Sequence, residues 1–246
     1  MVCRSLLLKL ENAGHIKLPP RRGLPPQLRE KSNCQTDLFS DNVFITDDTS
    51  AIHVPIRSLY PLSIIQVRRT KAETLYKHLV NQYHYLGYTQ PVGEHLKYII
   101  YCANRPVACI SFSSAPRHIG SRDRFIGWDP QIRRNNIHLL AYNTRFLILP
   151  WVRVPHLASH ILGLTARRIS EDWQQMYNHP LYFLETFVDT ERFAGTCYKA
   201  ANWIYLGVTT GRGKNDLTHQ KNRSIKAVWG LPLAKDFREK LCHEQT

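Results

Sequence analysis

Residues 184–213 read LETFVDTERFAGTCYKAANWIYLGVTTGRG, and this stretch decides the fold. An apolar run over 181–188 predicts a strand, residues 192–202 predict a helix, and residues 204–208 predict a closing strand. That order is typical of a sheet with helices packed against it. The same stretch holds a dense group of reactive side chains: Glu185, Asp189, Arg192, Cys197 and Tyr198. We therefore expect it to form one wall of a functional site.

The sequence on the N-terminal side of this stretch continues the alternation of helices and strands. The predicted elements are a helix at 70–82, strands at 96–102 and 107–113 joined by the turn Ala-Asn-Arg-Pro, a short helix or turn at 133–140, a strand at 144–154 and a long helix at 157–177. The long helix follows from apolar residues that approximate a period of 3.6. Together these elements predict an α/β fold with a single mixed sheet flanked by helices.

Three regions are predicted along the chain. Residues 1–35 read as a partial winged-helix-like segment with a proline-rich basic strap, because a leucine-bearing helix, Gly14 and a short strand precede the double proline. A plain N-terminal packing helix is the alternative. Residues 36–67 are polar or broken by prolines and predict a linker. Residues 68–246 predict the α/β domain.

The composition of the chain limits the classes of protein to which it can belong. The 246 residues carry a formal net charge of +14 with 43% hydrophobic residues, which describes a globular protein that favours a polyanionic partner such as nucleic acid. No apolar run is long enough to cross a membrane. The six cysteines include no CxxC pair, which predicts free thiols in a reducing cytoplasm and argues against zinc. The histidines form no HExxH signature, and we interpret His84, His156 and His160 as structural.

The most specific catalytic prediction concerns two carboxylates. Glu185 and Asp189 fall on the same face of a strand, where they can share acid–base work or hold Mg²⁺ or Mn²⁺. Asp123 in SRDRFIGW is a third candidate. Three carboxylates with a divalent ion would support phosphodiester cleavage or transfer. In the alternative interpretation, Asp189 caps the following helix and Glu185 pairs with an arginine such as Arg145 or Arg192.

Tyr198 and Cys197 are the candidate nucleophiles. A tyrosine forms a covalent phosphodiester link if nearby cations, here Arg192 and Lys199, stabilise its phenolate. The alternative is that Tyr198 packs against the sheet with its hydroxyl satisfied and that Cys197 is a small core residue.

A set of basic residues is predicted to grip DNA phosphates. It comprises Arg21, Arg22, Arg145, Arg153, Arg192, Arg212 and Lys214. The last two lie in TTGRGK (209–214), a glycine turn whose free amides and positive charges suit a phosphate. A plain β-turn explains that segment equally well.

Several segments together resemble the DruA family. They are YHYLGY (83–88), LKYIIY (96–101), RDRFIGW (122–128), NTRFLILPWV (143–152), LASHIL (157–162), ETFVDTERFAGTCYKAANW (185–203) and TTGRG (209–213). The resemblance covers about residues 1–233, and this chain is expected to start inside the family's leading region. It implies a part in Druantia anti-phage defence or a transposase-like role, with DNA and other defence proteins as partners.

The order of elements also resembles the GNAT acetyltransferase fold. In that fold a loop of pattern Arg/Gln-x-x-Gly-x-Gly/Ala cradles the pyrophosphate of acetyl-CoA, and the corresponding segment here runs from Arg153 to Ala158. His156 replaces the glycine that lets the backbone approach phosphate, and Pro155 removes one amide donor. The resemblance therefore implies a GNAT-like core without acetyl-CoA binding.

Three hypotheses follow for the function. The favoured one is a DNA-acting protein of the DruA type, in which the basic residues hold DNA and Glu185 and Asp189, with Asp123 and Tyr198, cleave or transfer strands. The second is an acyltransferase that uses Cys197, Tyr198 or Glu185 as acid or base. The third is a DNA- or partner-recognition subunit without catalysis.

Overall fold

The computed structural model describes residue 11 and residues 13–16, 48–211 and 224–243. The chain divides into two compact units, residues 1–42 and 43–246. The winged-helix-like prediction for residues 1–35 falls almost entirely outside the described residues. Arg21, Arg22, Arg212 and Lys214 also lie outside them.

Within the described part of the second unit, strands and helices alternate. The strands are β1 (Leu62–Gln66), β2 (His95–Cys102), β3 (Arg105–Ser114), β4 (Leu140–Ile148), β5 (Phe183–Asp189), β6 (Ile204–Val208) and β7 (Lys226–Pro232). The α-helices are α1 (Glu73–Tyr83), α2 (Gly120–Ile126), α3 (Pro130–Asn136), α4 (Leu157–Ala166), α5 (Ile169–Tyr177), α6 (Thr196–Ala200) and α7 (Phe237–Cys242). Short 3₁₀ turns occupy Ile56–Leu59 and Ile137–Leu139.

The described strands form one sheet in the order β1-β2-β3-β4-β5-β7-β6. All neighbouring strands pair antiparallel except β4 and β5, which are parallel. The parallel pair needs a crossover, and α4 with α5 supplies it. The predicted single mixed sheet flanked by helices is confirmed.

Helices cover both faces of this sheet. On one face, Lys97 of β2 bonds Glu73 of α1. On the opposite face, Tyr98 of β2 donates to Asp172 of α5 at 2.9 Å. Because neighbouring strand residues point to opposite faces, these two contacts place α1 and α5 on opposite sides of the sheet.

Some predicted boundaries are wrong. The predicted linker 36–67 contains β1, which pairs with β2 as an edge strand, and Ile52 bridges Val152. The prolines near β1 led to the linker prediction. An edge strand such as β1 tolerates a neighbouring proline that a central strand would not. The region predicted as one helix over 157–177 forms two helices, α4 and α5. Of the helix predicted over 192–202, only the five residues of α6 are helical. The strand predicted at 144–154 begins earlier, at Leu140.

Other predictions agree with the structure. The β2–β3 hairpin forms with the turn at Ala103 and Asn104, both at positive φ. Strand β6 has the predicted bounds. Of the cysteines in the described residues, those at 102, 109, 197 and 242 are free thiols. None of the described helices has the length and apolarity that a membrane crossing requires.

Candidate functional site

The sheet splits between β4 and β5. The two strands pair over four residues, from Leu140↔Phe183 to Asn143↔Thr186. Beyond that point β4 continues along β3 and β5 continues along β7. A cleft of about 590 Å³ opens between the separated ends, and we call it the β4–β5 cleft.

A bulge at Thr144 accounts for the split. Asn143 pairs with Phe112, whereas Arg145 pairs with Ser111, so Thr144 is the extra residue of β4. A bulge bends its strand, and here β4 turns away from β5. The Asn143 side chain holds the bulge by donating to the Ser111 carbonyl at 2.8 Å and the Arg145 carbonyl at 3.1 Å.

Tyr198 lies in the wall of this cleft and is buried. Its hydroxyl donates to Asn143 Oδ1 at 2.7 Å and accepts from Thr186 Oγ1 at 3.4 Å. Burial raises the pKa of the Tyr198 phenol well above its usual range. A nucleophilic tyrosine must become a phenolate, so this environment opposes the predicted covalent role and favours a packed, hydrogen-bonded tyrosine.

Cys197 also lines the cleft and is half-buried. Burial raises the pKa of its thiol. Because the thiolate is the reactive form, a raised pKa weakens Cys197 as a nucleophile. Its catalytic role stays a prediction.

Glu185 lies in the interior rather than in the cleft. Both Glu185 and Arg122 of α2 are 0% exposed, and Arg122 Nη1 donates to Glu185 Oε1 at 2.8 Å. Burial raises the pKa of Glu185 to about 7, although the Arg122 guanidinium pulls it down. The predicted ion pair of Glu185 with an arginine is present, but its partner is Arg122, neither Arg145 nor Arg192.

Asp123 belongs to the same interior network. Arg122 Nε donates to Asp123 Oδ1 at 2.8 Å, and Arg133 Nη1 donates to Asp123 Oδ2 at 3.1 Å. His118 Nδ1 lies 2.7 Å from the same Oδ2 atom. The Asp123 carboxylate is therefore occupied by cationic or polar partners, which suits a structural role.

Asp189 lies at the mouth of the cleft, apart from Glu185. Four residue steps along an extended strand place the two Cα atoms about 13 Å apart. Asp189 Oδ1 accepts from the Glu191 amide at 3.2 Å, and its carbonyl accepts from the Arg192 and Phe193 amides. Within the described residues, no three His, Cys, Asp or Glu side chains form a metal-binding group. Glu185 and Asp189 therefore lie in different environments, and their joint metal site stays a prediction.

Arg145 is the distinctive cation of the cleft. Its Nε donates to the Gly87 carbonyl at 2.9 Å and its Nη1 to the Thr144 carbonyl at 2.8 Å. No carboxylate of the described residues lies within ion-pair distance of it. Arg145 lines both the β4–β5 cleft and an adjoining cavity of about 320 Å³ that also contains Lys97 and Ser113. A half-buried guanidinium without a counter-ion is a ready site for an anion.

The other predicted cations are distributed unevenly. Arg192 is exposed in the segment after β5, with its guanidinium carbon 5.1 Å from the Tyr85 ring centroid. Arg153 is exposed in the loop before α4 and does not line the cleft. Lys226 of β7 lines the cleft beside Asp189, and the sequence had not singled it out. Arg145 and Lys226 line the cleft, and Arg192 lies against the lining residue Tyr85 without lining the cleft itself; we call these three cations the positive mouth.

Aromatic side chains border the same mouth. Tyr85 is 44% exposed and Phe193 is 50% exposed, and their ring centroids are 5.5 Å apart. His84 stacks on Tyr85 with ring centroids 4.8 Å apart. Sequence reasoning missed Tyr85 and Phe193 because each lies in a segment whose partner is remote in the chain. The clustering of aromatics in YHYLGY (83–88) was the available signal.

The loop before α4 has an unusual residue. His156 adopts φ 65, the left-handed conformation that glycine adopts most readily. This is the position where the GNAT pattern carries glycine. His156 therefore holds a backbone conformation that glycine would adopt with less strain.

Solved structures similar to this chain are acyl-transferring enzymes. The acetyltransferase of GNAT family from Streptococcus pneumoniae has 11% identity and a TM-score of 0.44, covering 70% of this chain and 99% of its own. FeeM, an N-acyl amino acid synthase from uncultured soil microbes, has 10% identity and a TM-score of 0.44, covering 74% and 94%. The ribosomal-protein-S18-alanine N-acetyltransferase from Escherichia coli has 10% identity and a TM-score of 0.41, covering 70% and 94%.

At such low identities and TM-scores, these similarities say nothing about the reaction. No curated protein matches the chain.

The family comparison is more extensive. A family model described as Druantia protein DruA matches residues 12–241, nearly the whole chain. The predicted resemblance is confirmed, and the chain belongs to the DruA family.

Proposed function

We propose that this protein binds nucleic acid, with DNA as the expected ligand, across the mouth of the β4–β5 cleft. Membership of the DruA family supports a defence-related role. The observation that carries the proposal is Arg145, a half-buried guanidinium held by two backbone carbonyls without a carboxylate partner among the described residues. Its orientation is set before any ligand arrives, so a phosphate would meet an ordered donor.

Charge around Arg145 supports a polyanion. Arg192 and Lys226 lie at the same mouth, and the whole chain has a net charge of +14. Asp189 and the exposed Glu191 are the opposing charges there, and one carboxylate oxygen of Asp189 accepts from the Glu191 amide. Cations thus outnumber acids where a backbone phosphate would lie.

The same geometry favours recognition over metal-dependent strand cleavage. Glu185 and Asp123 are engaged in the interior with Arg122, and the Tyr198 phenol is held protonated by burial. The carboxylates predicted to supply catalysis are therefore stabilising groups in this proposal. Binding of DNA, without chemistry on its backbone, is the role that the described residues support best.

Salt-dependent binding tests the proposal. Anisotropy of a labelled 20-base oligonucleotide, read between about 50 and 200 mM KCl, should show affinity that falls steeply with salt. Arg145→Ala should weaken binding about tenfold and reduce the salt slope by about 1, because one phosphate contact is lost. Arg134 is the matched control, since it is an exposed arginine on α3 outside the cleft.

Two outcomes would overturn the proposal. One is an affinity that is negligible at low salt. The other is an equal effect of Arg145→Ala and Arg134→Ala, which would reduce Arg145 to one charge among many.

Acyl transfer is the second candidate function. Its supporting observation is His156, which adopts a left-handed φ of 65 in the loop before α4, at the position where the GNAT pattern carries glycine. Tyr198 is the acid or base that the sequence predicts for this reaction. Calorimetry with acetyl-CoA separates the two candidates. Micromolar binding that Tyr198→Phe leaves intact, together with a turnover that this variant loses, would favour acyl transfer.

A further inference from the structure

Two loops place exposed aromatic rings at the cleft mouth. Tyr85 follows α1 and Phe193 follows β5, and they meet across about a hundred residues of sequence with ring centroids 5.5 Å apart. Each ring leaves close to half of its surface in solvent. Large exposed apolar groups that cluster in this way mark binding surfaces. We call the pair the aromatic platform.

The platform is held rigidly by its surroundings. His84 stacks beneath Tyr85, and its Nδ1 accepts from the Leu86 amide at 3.2 Å. On the other side, Gly195 adopts φ 72, and a Cβ there would approach Trp229 Nε1 to 3.0 Å. A side chain at this position would be strained and crowded, so the turn that follows Phe193 requires glycine.

A hydrogen bond also connects the loop of the aromatic platform to Arg145, the residue proposed to bind phosphate. The Gly87 carbonyl that accepts from Arg145 Nε belongs to the same loop as Tyr85. The Arg192 guanidinium lies over the Tyr85 ring at 5.1 Å. Arg192 and the two aromatic rings are therefore immediate neighbours, and Arg145 is bonded to the loop that carries Tyr85, while Phe193 keeps half of its surface exposed beside them.

This pairing of features distinguishes among possible occupants. An acidic peptide would use the cations but has no planar rings to stack. A base-paired duplex presents phosphates but hides the faces of its bases. A single-stranded nucleotide offers both a negative phosphate and a free base face, and stacking on aromatic side chains is how such strands are held.

We propose that the aromatic platform of Tyr85 and Phe193 stacks an unpaired base of a single-stranded nucleic acid while Arg145 and Arg192 hold its phosphates. This inference rests on the nucleic-acid binding proposed above and names the form of the ligand. It assigns to Tyr85 and Phe193 a binding role that the sequence did not suggest.

Ring-removing and ring-retaining variants test the stacking. Tyr85→Leu and Phe193→Leu keep apolar bulk but lose the aromatic face, whereas Tyr85→Phe and Phe193→Tyr keep the face. Because both rings are largely exposed, thermal unfolding should confirm that all four variants fold. The probes are oligo-dT, oligo-rU and a DNA duplex, each of about 20 nucleotides, which also separate DNA from RNA.

The leucine variants should weaken binding of the single strand about tenfold, while the ring-retaining variants should stay within about twofold of wild type. Duplex binding should be weaker than single-strand binding and insensitive to all four changes. A 2-aminopurine base in the single strand should be quenched by wild type and less by the leucine variants.

Three results would overturn the inference. Equal binding of duplex and single strand, with no effect of the leucine variants, would leave the proposed function standing and remove the platform. A loss of partner-protein capture in the leucine variants, with single-strand binding unchanged, would make the platform a protein-docking surface. Failure of wild type to bind any of the three probes would remove both proposals.

Discussion

Two clusters of charge in this protein contrast sharply. In the interior cluster, Arg122 is fully buried and contacts two carboxylates, Glu185 at 2.8 Å and Asp123 at 2.7 Å. At the cleft mouth, Arg145 is only half-buried and its hydrogen bonds go to backbone carbonyls. The interior arginine is neutralised within the fold, whereas the cleft arginine keeps its charge available. The comparison shows that an arginine near an acid in this chain is a stabilising group, and an arginine without one is the better candidate for binding.

Desolvation is the physical reason for the difference. A charge removed from water must be paired, because an isolated buried ion costs several kcal/mol or more. Arg122 satisfies this requirement with two carboxylates. Arg145 avoids it by remaining at the edge of a cavity, where its side chain stays partly exposed to solvent.

The largest expected effect is on the interior cluster. Arg122→Met should destabilise the protein by about 3–5 kcal/mol, because Glu185 and Asp123 lose the cation that compensates their burial. Urea unfolding measures the change. Arg124, an exposed arginine on the same helix, is the control, and Arg124→Met should cost less than about 1 kcal/mol. Equal small losses for both variants would show that the buried pair contributes little.

The pH dependence of stability tests the interior charge cluster through Glu185. The pKa of Glu185 is about 7 in the folded protein, above its ordinary value of 4.5. The folded state therefore binds more protons than the unfolded state between these values, so the contribution of Glu185 to stability falls as pH rises from about 4.5 to about 7. Unfolding at several pH values should show this decline in wild type and lose it in Glu185→Gln. The exposed Glu191→Gln is the control and should keep the decline.

A substitution of Tyr198 tests the hydrogen bond that this residue donates to Asn143 at the wall of the cleft. Tyr198→Phe should cost about 1–2 kcal/mol, because buried Asn143 Oδ1 loses the phenol that donates to it. Thermal or urea unfolding gives the value. Tyr205, an exposed tyrosine on β6, provides the matched change, and Tyr205→Phe should be nearly neutral. An unaltered stability in Tyr198→Phe would indicate that the hydroxyl is not needed to hold the bulge of β4.

The smallest expected effect is a titration shift at the cleft mouth. Burial, and then the charge of Arg145, lower the pKa of His84 to about 4. Arg145→Ala should raise that pKa only part of the way to its usual value, since burial remains. Proton NMR of the His84 ring follows the titration, with Arg134→Ala as the variant that should leave it in place. No shift in Arg145→Ala would mean that Arg145 lies farther from His84 than the structure places it.

Local patterns predicted much of the framework. The β2–β3 hairpin and β6 were recognisable because short apolar runs between turn residues are a local signal. The break between α4 and α5 at Arg167–Arg168 was not, since the apolar period continues across it. Strand β7 and helices α2 and α7 were missed because their buried sides become clear only when the surrounding elements are assembled.

The site was less accessible to sequence reasoning than the fold. Arg145 and Arg192 were identified as basic residues, but which cation keeps its charge depends on remote neighbours. Glu185 lies 63 positions from Arg122, and no local pattern links them. Tyr85 and Phe193 likewise meet only after α1 and β5 have taken their places.

By itself, the sequence determined the fold class, the positive charge, the free cysteines among the described residues and membership of the DruA family, because these depend on composition and on local or family-wide patterns. Three features became visible only in the folded protein: Glu185 is an interior counter-ion, a bulge at Thr144 opens the β4–β5 cleft, and Arg145 forms no ion pair with any carboxylate of the described residues. Pairing and burial of charges depend on side chains brought together through space, and their order along the chain does not encode that directly.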